Sequence, residues 1–248
     1  MKKIIYIMVL LMGLGYLSGL HPSAYAGKKP QYLIKFATVA PDGSAWVKQI
    51  RLVDKELREK SGGRMGLGIY AGGIAGDELD VLKKMRVGQL QCAAFSGVGF
   101  GKILPMVRVL DLPYLFRNDQ EVDRVHRALF DYFAEAFQKK GFLPLVHSTG
   151  AILISSRYFK KLPPDLATLL QNTMKTAMAD LTTTLRHQRE DAIQVIRDSG
   201  ITVIPAPSEA ARKPFYDTHT KVARKLTGKI YPEALLLRVY EILKRPGS

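Results

Sequence analysis

Residues 65–85 read MGLGIYAGGIAGDELDVLKKM: an apolar run, then three glycines, two acids and an amphipathic stretch. Three readings compete for the middle of it: a phosphate cradle, a plain turn into a helix, or the wall of some other ligand cleft. The flanks are easier. MGLGIY (65–70) has the composition of a strand. Residues 77–87 have helical spacing, with Leu79, Leu82 and Met85 expected inward and Gly88 as the stop. Asp77, Glu78 and Asp80 fall in the first turn of that helix, where the helix dipole favours acids without any catalytic duty.

Strand and helix patterns continue on both sides, without an internal sequence repeat. Upstream, YLIKFATV (32–39) reads as a strand ended by Pro41-Asp42-Gly43, and residues 44–60 as a helix with Val47, Ile50, Val53 and Leu57 on one face. Downstream, QLQCAAFS (89–96) reads as a third strand, its small residues suiting a buried parallel position. A β-α-β-α-β order implies an α/β fold with a parallel sheet and right-handed crossovers.

Beyond residue 100 the pattern loosens around Pro105 and Pro113. A helix is expected from about 119 to 139, then strands at 141–148 and 151–156. From Pro164 to Ser199 apolar residues keep a three-and-four spacing, ending at Gly200. A helix of that length is roughly 50 Å long, more than one small lobe is wide, so it crosses between lobes or projects. ITVIPAP (201–207) reads as a short strand, and residues 208–227 and 232–244 as closing helices.

Composition narrows the function classes. The 248 residues, 47% apolar and 24% charged, suffice for one sizeable core or two small lobes. Lys2 and Lys3 precede an uncharged run from Ile4 to Leu20 and then Ala24-Tyr25-Ala26, the order of a cleaved secretory signal (residues 1–26); a membrane anchor is the competing reading. Cys92 is the single cysteine, so no intramolecular disulfide forms, and its apolar neighbours read as a buried site. Export without disulfides points to a bacterial envelope protein in the periplasm. The net charge of +15 invites a nucleic-acid reading, but the basic residues are dispersed among acids with no aromatic interleaving. Solvated surface, a nearby anionic membrane or an anionic ligand fits better.

Catalytic motifs fail on spacing. GVGFGK (97–102) resembles a phosphate loop, yet three residues separate Gly97 from Gly101 where four are needed, and Ile103 stands where the magnesium-binding hydroxyl belongs. There is no G-x-S-x-G elbow. His126, His147, His187 and His219 are scattered, without metal-ligand spacing. No cofactor or enzymatic activity is indicated. What remains is three small-residue loops, 38–43, 71–76 and 96–99, after successive strands. In an open α/β sheet such loops line the ligand crevice, and their N–H groups suit an anion.

At this point IKFATVAPDGSAW, SGGRMGLGIYAGGIAGDELDVLKKMRVGQLQCAAFSGVG and VLDLPYLFRNDQEVDRV resemble, in order and spacing, the first lobe of the DctP-type solute-binding proteins. These are the extracytoplasmic receptors of tripartite ATP-independent periplasmic (TRAP) transporters. LISSRYFKKLPPDLATLLQ and the helix to Ser199 resemble the segment leading into that family's lobe-crossing helix. The resemblance implies a periplasmic-binding-protein-like lobe (27–150), a long helix (164–199) and a second lobe (151–248). It also implies capture of a small organic anion, often a carboxylate, for delivery to membrane subunits. Two family arginines are missing. Ile152 stands at the position of one, and the stretch that would carry the other, with a V-D-G-x-E-x-P element, is absent, so the second lobe reads as reduced. Planar guanidinium forks are the natural carboxylate clamp.

The candidate binding residues are therefore Thr38 and Val39 after the first strand, Gly73 beside the helix start, and Phe95, Ser96 and Gly97 after the third, acting through backbone groups and shape. Competing readings are a ligand-free interaction scaffold or receptor remnant, and a surface for anionic lipid. A shortened sheet with exposed ends makes a homodimer plausible.

Overall fold

The computed structural model describes residues 29–147 and 150–245, so the expected signal segment and Ser148-Thr149 lie outside the described residues. In chain order the elements are β1 (Tyr32–Ala37), α1 (Ala45–Lys60), β2 (Met65–Tyr70), α2 (Glu78–Arg86), β3 (Cys92–Phe95) and α3 (Gly97–Ile103). A 3₁₀ segment (Pro105–Asp111), α4 (Asp119–Lys139), β4 (Phe142–His147), β5 (Ala151–Ser155) and the single turn α5 (Ser156–Phe159) follow. The chain then runs through α6 (Pro164–Asp198), α7 (Glu209–Leu226) and α8 (Glu233–Ile242).

The five strands form one sheet in the order β2-β1-β3-β5-β4. β1 pairs in parallel with β2 and β3, as the β-α-β-α-β pattern requires. β5 pairs antiparallel with both β3 and β4, so the sheet is mixed. Pro144 sits in β4, an edge strand where a missing N–H costs no ladder bond, beside a register irregularity between Pro144 and Val146. The expected lobe boundary at 150/151 falls between two neighbouring strands of this sheet. No second sheet occurs among the described residues.

Helices cover both faces of the sheet, and the strand residues alternate accordingly. Phe36, Cys92 and Ile154 are aligned across β1, β3 and β5 and share one buried cluster with α1 and α6. The next row, Ala37, Ala93 and Leu153, belongs to the other cluster, with α2, α3, α4 and α8. Burial on both faces explains why these strands read as continuous apolar runs. Cys92 is fully buried, and that burial pushes its thiol far above the ordinary range.

The amphipathic spacings hold in α1, where Val47, Ile50, Val53 and Leu57 are buried and Ser44 accepts the Val47 N–H as N-cap. In α2 the buried stripe is Val81, Leu82 and Met85, while Leu79 is 45% exposed, contrary to expectation. Leu79 lies two residues, about 200°, from Val81 around the helix, on the other side. α6 has 35 residues and buries Leu166, Leu170, Thr173, Met174, Ala177, Met178 and Leu181. Past Leu181 none of its residues is fully buried, and Leu185, Ile193, Val195 and Ile196 are exposed. Residues 201–207 are not a strand but coil, with Ile201, Val203 and Ile204 exposed. Their composition favours pairing, but no strand neighbours them in the described sheet, and a lone strand satisfies none of its backbone groups. No helix among the described residues is long and apolar enough to cross a membrane.

Candidate functional site

The carboxyl ends of β1, β2 and β3 open onto the loops singled out in the sequence. There the backbone largely satisfies itself. Thr38 donates its N–H to the Tyr70 carbonyl (3.0 Å) and accepts the Gly73 N–H on its own carbonyl (3.1 Å). Its hydroxyl accepts from the Ala40 N–H at 3.1 Å. Thr38 and Gly73 are thus brought together, and Gly73, at φ 76°, takes a conformation that glycine adopts without strain. Val39 is 45% exposed.

The Phe95–Gly97 loop is the turn into α3, with Ser96 as its N-cap. This small anion nest is already filled. The Glu78 carboxylate, from the first turn of α2, accepts the Ser96 N–H, the Ser96 hydroxyl (2.8 Å) and the Gly99 N–H (2.9 Å). Glu78 therefore does more than complement its own helix: it supplies the negative charge at the start of the next one. Asp77 caps α2 by accepting the Asp80 N–H at 2.8 Å. The glycines of 71–76 are the turn into α2, and no phosphate cradle is formed. Gly150 packs so tightly on Phe95 that an added Cβ would collide with its carbonyl oxygen.

Next to this edge lies a cavity of about 290 Å³. Its apolar wall is Trp46 from the first turn of α1, Val146 of β4, Ala151 and Ile152 of β5, and Met178, Leu181 and Leu185 of α6. Ile152 thus lies in the wall at the position where the resemblance implies an arginine. The polar rim is Asp119 from the first turn of α4 with Thr182, Arg186 and Arg189 of α6. None of the six candidate residues is in this lining; Phe95 adjoins it through its β-ladder partner Ala151.

Two arginines on α6 therefore reach the cleft, three residues apart on one helix face. Sequence reasoning missed them because it looked for guanidinium groups in strands. The R-x-x-R spacing at 186–189 was the available signal. Both are engaged by carboxylates of α4. Arg186 donates from its two terminal nitrogens to Asp123 at 3.0 and 2.7 Å, and its Nε lies 3.3 Å from Asp119. Arg189 donates to both Asp119 oxygens at 3.2 and 2.7 Å. The Arg189 hydrogen bonds, with the positive charge of both arginines, hold the Asp119 carboxyl below its usual range. The Asp123 hydrogen bond raises Arg186, and the Asp119 hydrogen bond raises Arg189. An apolar floor with two forked cations at its rim can take a small carboxylate; it offers no nucleophile–base pair. Among the described residues no cluster of metal-ligating side chains occurs.

Residues 36–149 match the family described as DctP, bacterial extracellular solute-binding protein, family 7. A solute-binding protein of Chromohalobacter salexigens is 32% identical over 92 residues, a stretch covering 37% of this chain and 27% of that relative's length. Solved structures share the fold at low identity. A TRAP periplasmic solute-binding protein of Ochrobactrum anthropi superposes with a TM-score of 0.77 at 14% identity, covering 88% of this chain and 96% of the other. The sugar acid binding protein DctPAm of Advenella mimigardefordensis, in complex with galactonate, gives 0.76 at 14%, covering 88% and 99%. A TRAP periplasmic solute-binding protein of Shewanella oneidensis with bound succinate gives 0.75 at 13%, covering 86% and 99%. Residues 36–149 accordingly match the family 7 bacterial extracellular solute-binding proteins, and the chain built around them has the fold of the TRAP periplasmic solute-binding proteins.

Proposed function

We propose that this chain is an extracytoplasmic receptor that captures a small organic anion, of the carboxylate class, in the periplasm. It hands the anion to the membrane subunits of a TRAP-type secondary transporter. The observation that carries the reading is the cavity beside the carboxyl edge of the sheet, apolar in its floor and bordered by Arg186 and Arg189. Its volume is at the small end of the range for ligand pockets, roughly 300–1,000 Å³, which suits a compact acid. Structures of the same fold hold succinate and galactonate, which supports the same ligand class here. The homodimer expected from exposed sheet ends finds no support in the relatives.

Trp46 is the single tryptophan of the chain and lines this cavity, so its emission reports occupancy directly. Titration of the periplasmically exported protein with succinate, galactonate, galacturonate and erythronate is expected to give a saturable change with at least one acid. The Arg186→Gln, Arg189→Gln double variant should abolish it. Silence toward the whole set, in a folded protein, overturns the receptor reading. One observation favours a second reading, a ligand-free interaction scaffold: both arginines already hold carboxylates, while the far half of α6 and residues 201–204 expose apolar side chains.

A further inference from the structure

On another part of the surface, where the 113–117 loop meets α7, a cavity of about 360 Å³ is lined by Tyr114, Phe116, Arg117, Arg212, Phe215 and Tyr216 among others. It shares no residue with the cavity at Trp46. Three features set it apart from ordinary surface. Tyr114 is held at φ 59°, a conformation that is sterically unfavourable for a bulky residue and calls for a reason beyond chain reversal. That backbone presents the Tyr114 ring, 48% exposed, to the Phe215 ring, 42% exposed, at 5.0 Å between centroids. Large aromatic rings exposed side by side on a small protein mark binding surfaces more often than scattered apolar residues do.

The third feature is charge. The Arg117 guanidinium lies 5.3 Å over the Tyr216 ring. Among the described residues no carboxylate comes within ion-pair distance of it, whereas Arg186 and Arg189 are each forked onto an aspartate. Arg212 donates from Nε to the Pro207 carbonyl at 2.8 Å, and its one ion pair, with Glu209 at 3.6 Å, is loose and exposed, so its terminal nitrogens keep donor capacity. The loop is clamped on both sides. His219 of α7 donates from Nδ1 to the Pro113 carbonyl at 2.9 Å, and Arg245 donates to the Leu115 carbonyl and, at 2.6 Å, to Glu121. Glu121 in turn accepts the Arg117 N–H at 2.8 Å. Such clamps hold the strained Tyr114 backbone and preorganise the rings and the guanidinium before any ligand arrives.

We propose that this cavity is a second binding site, for a small anion with a planar aromatic body, the class of aromatic carboxylates. The rings supply stacking faces, and Arg117 supplies a fork for the carboxylate, with Arg212 adding positive charge. The site stands independently of the receptor reading, since neither its residues nor its argument involve the Trp46 cavity.

Benzoate tests it, with acetate as the charge without the ring and phenol as the ring without the charge. Amide NMR of the whole chain should show saturable benzoate shifts at 114–117 and 212–216, with acetate and phenol each at least about tenfold weaker. Arg117→Gln should weaken benzoate by about tenfold or more, the value of a charge-assisted fork. Tyr114→Gly removes one ring while easing the backbone, so it should weaken benzoate without unfolding the chain. The inference is overturned if benzoate binds no better than acetate and phenol, if both variants bind it unchanged, or if shifts appear only around Trp46. Loss of organic-acid binding at Trp46 with benzoate shifts intact would refute the receptor reading alone.

Discussion

Asp119 is the internal rival of any ligand at the Trp46 cavity, and replacing it with Asn should move stability and affinity in opposite directions. In the folded chain its carboxylate takes two hydrogen bonds from Arg189 and lies 3.3 Å from Arg186. The side chains of Asp119 and Arg189 are 34% and 56% exposed, so the pairing is a surface one, worth about 0.2–1 kcal/mol. As an acid in the first turn of α4 it adds about 0.3–1 kcal/mol through the helix dipole, reduced by salt. Asp119→Asn should therefore cost about 1 kcal/mol, a fall in Tm of about 2–4 °C for a chain of this size. The same change frees Arg189 and the Nε of Arg186. An incoming carboxylate no longer has to displace a pairing worth up to about 1 kcal/mol, so binding should tighten by up to about fivefold. Urea denaturation gives the first quantity and Trp46 titration with the best acid the second. Acid conditions supply a further check. The Asp119 carboxyl is depressed in the fold, so its contribution is present above the unfolded value near 3.9 and disappears as pH falls through the folded value. The stability gap between wild type and variant should close below about pH 4. A variant that loses stability and binds the acid more weakly would show Asp119 to be a ligand contact, and the rivalry would be refuted.

Two further outcomes follow from other contacts. Removing the Glu78 carboxylate orphans the Ser96 and Gly99 N–H groups at the start of α3, so Glu78→Ala should cost about 2 kcal/mol in urea denaturation and Glu78→Gln about half that; a loss below about 0.5 kcal/mol for the alanine would remove Glu78 from its capping role. His219 donates to a carbonyl that can only accept, so its Nε2, 2.7 Å from the Tyr240 hydroxyl, is the acceptor of the neutral ring, and burial depresses its pKa below 6.5. Because the unfolded chain takes up that proton first, stability should fall as pH drops from about 6.5 toward 5, and His219→Leu, though less stable throughout, should lose that slope; an unchanged slope would assign it elsewhere.

What could be read from the sequence was what depends on near neighbours. The buried face of α1, the helix at 119–139, the strands at 65–70 and 92–95, and the long helix from Pro164 all follow from periodicity and from Gly and Pro punctuation. Contacts between distant segments could not be read the same way. Nothing local shows that β5 enters the sheet beside β3 and reverses its direction, or that Glu78 reaches Ser96, eighteen residues on. The 201–207 expectation failed for the complementary reason: its alternating apolar residues are β-prone, but pairing is decided by a neighbour that the sheet does not provide. Arg186 and Arg189 were visible as charges on a helix; only the packing of α6 against α1 and β4 turns them toward Trp46.

Cys92, the central residue of the row Phe36–Cys92–Ile154, gives the chain a built-in clock. Its thiol is buried and resists ionisation, so a thiol reagent can reach it only when the middle of the sheet opens. With one cysteine in 248 residues, every labelling event reports that same opening. Where closure outruns the reagent, the labelling rate is the rate for a free thiol multiplied by the open fraction. The opening free energy of the sheet can thus be timed in dilute buffer without denaturant, and any ligand that grips α1 and α6 from the Trp46 side should slow the clock in proportion to its occupancy.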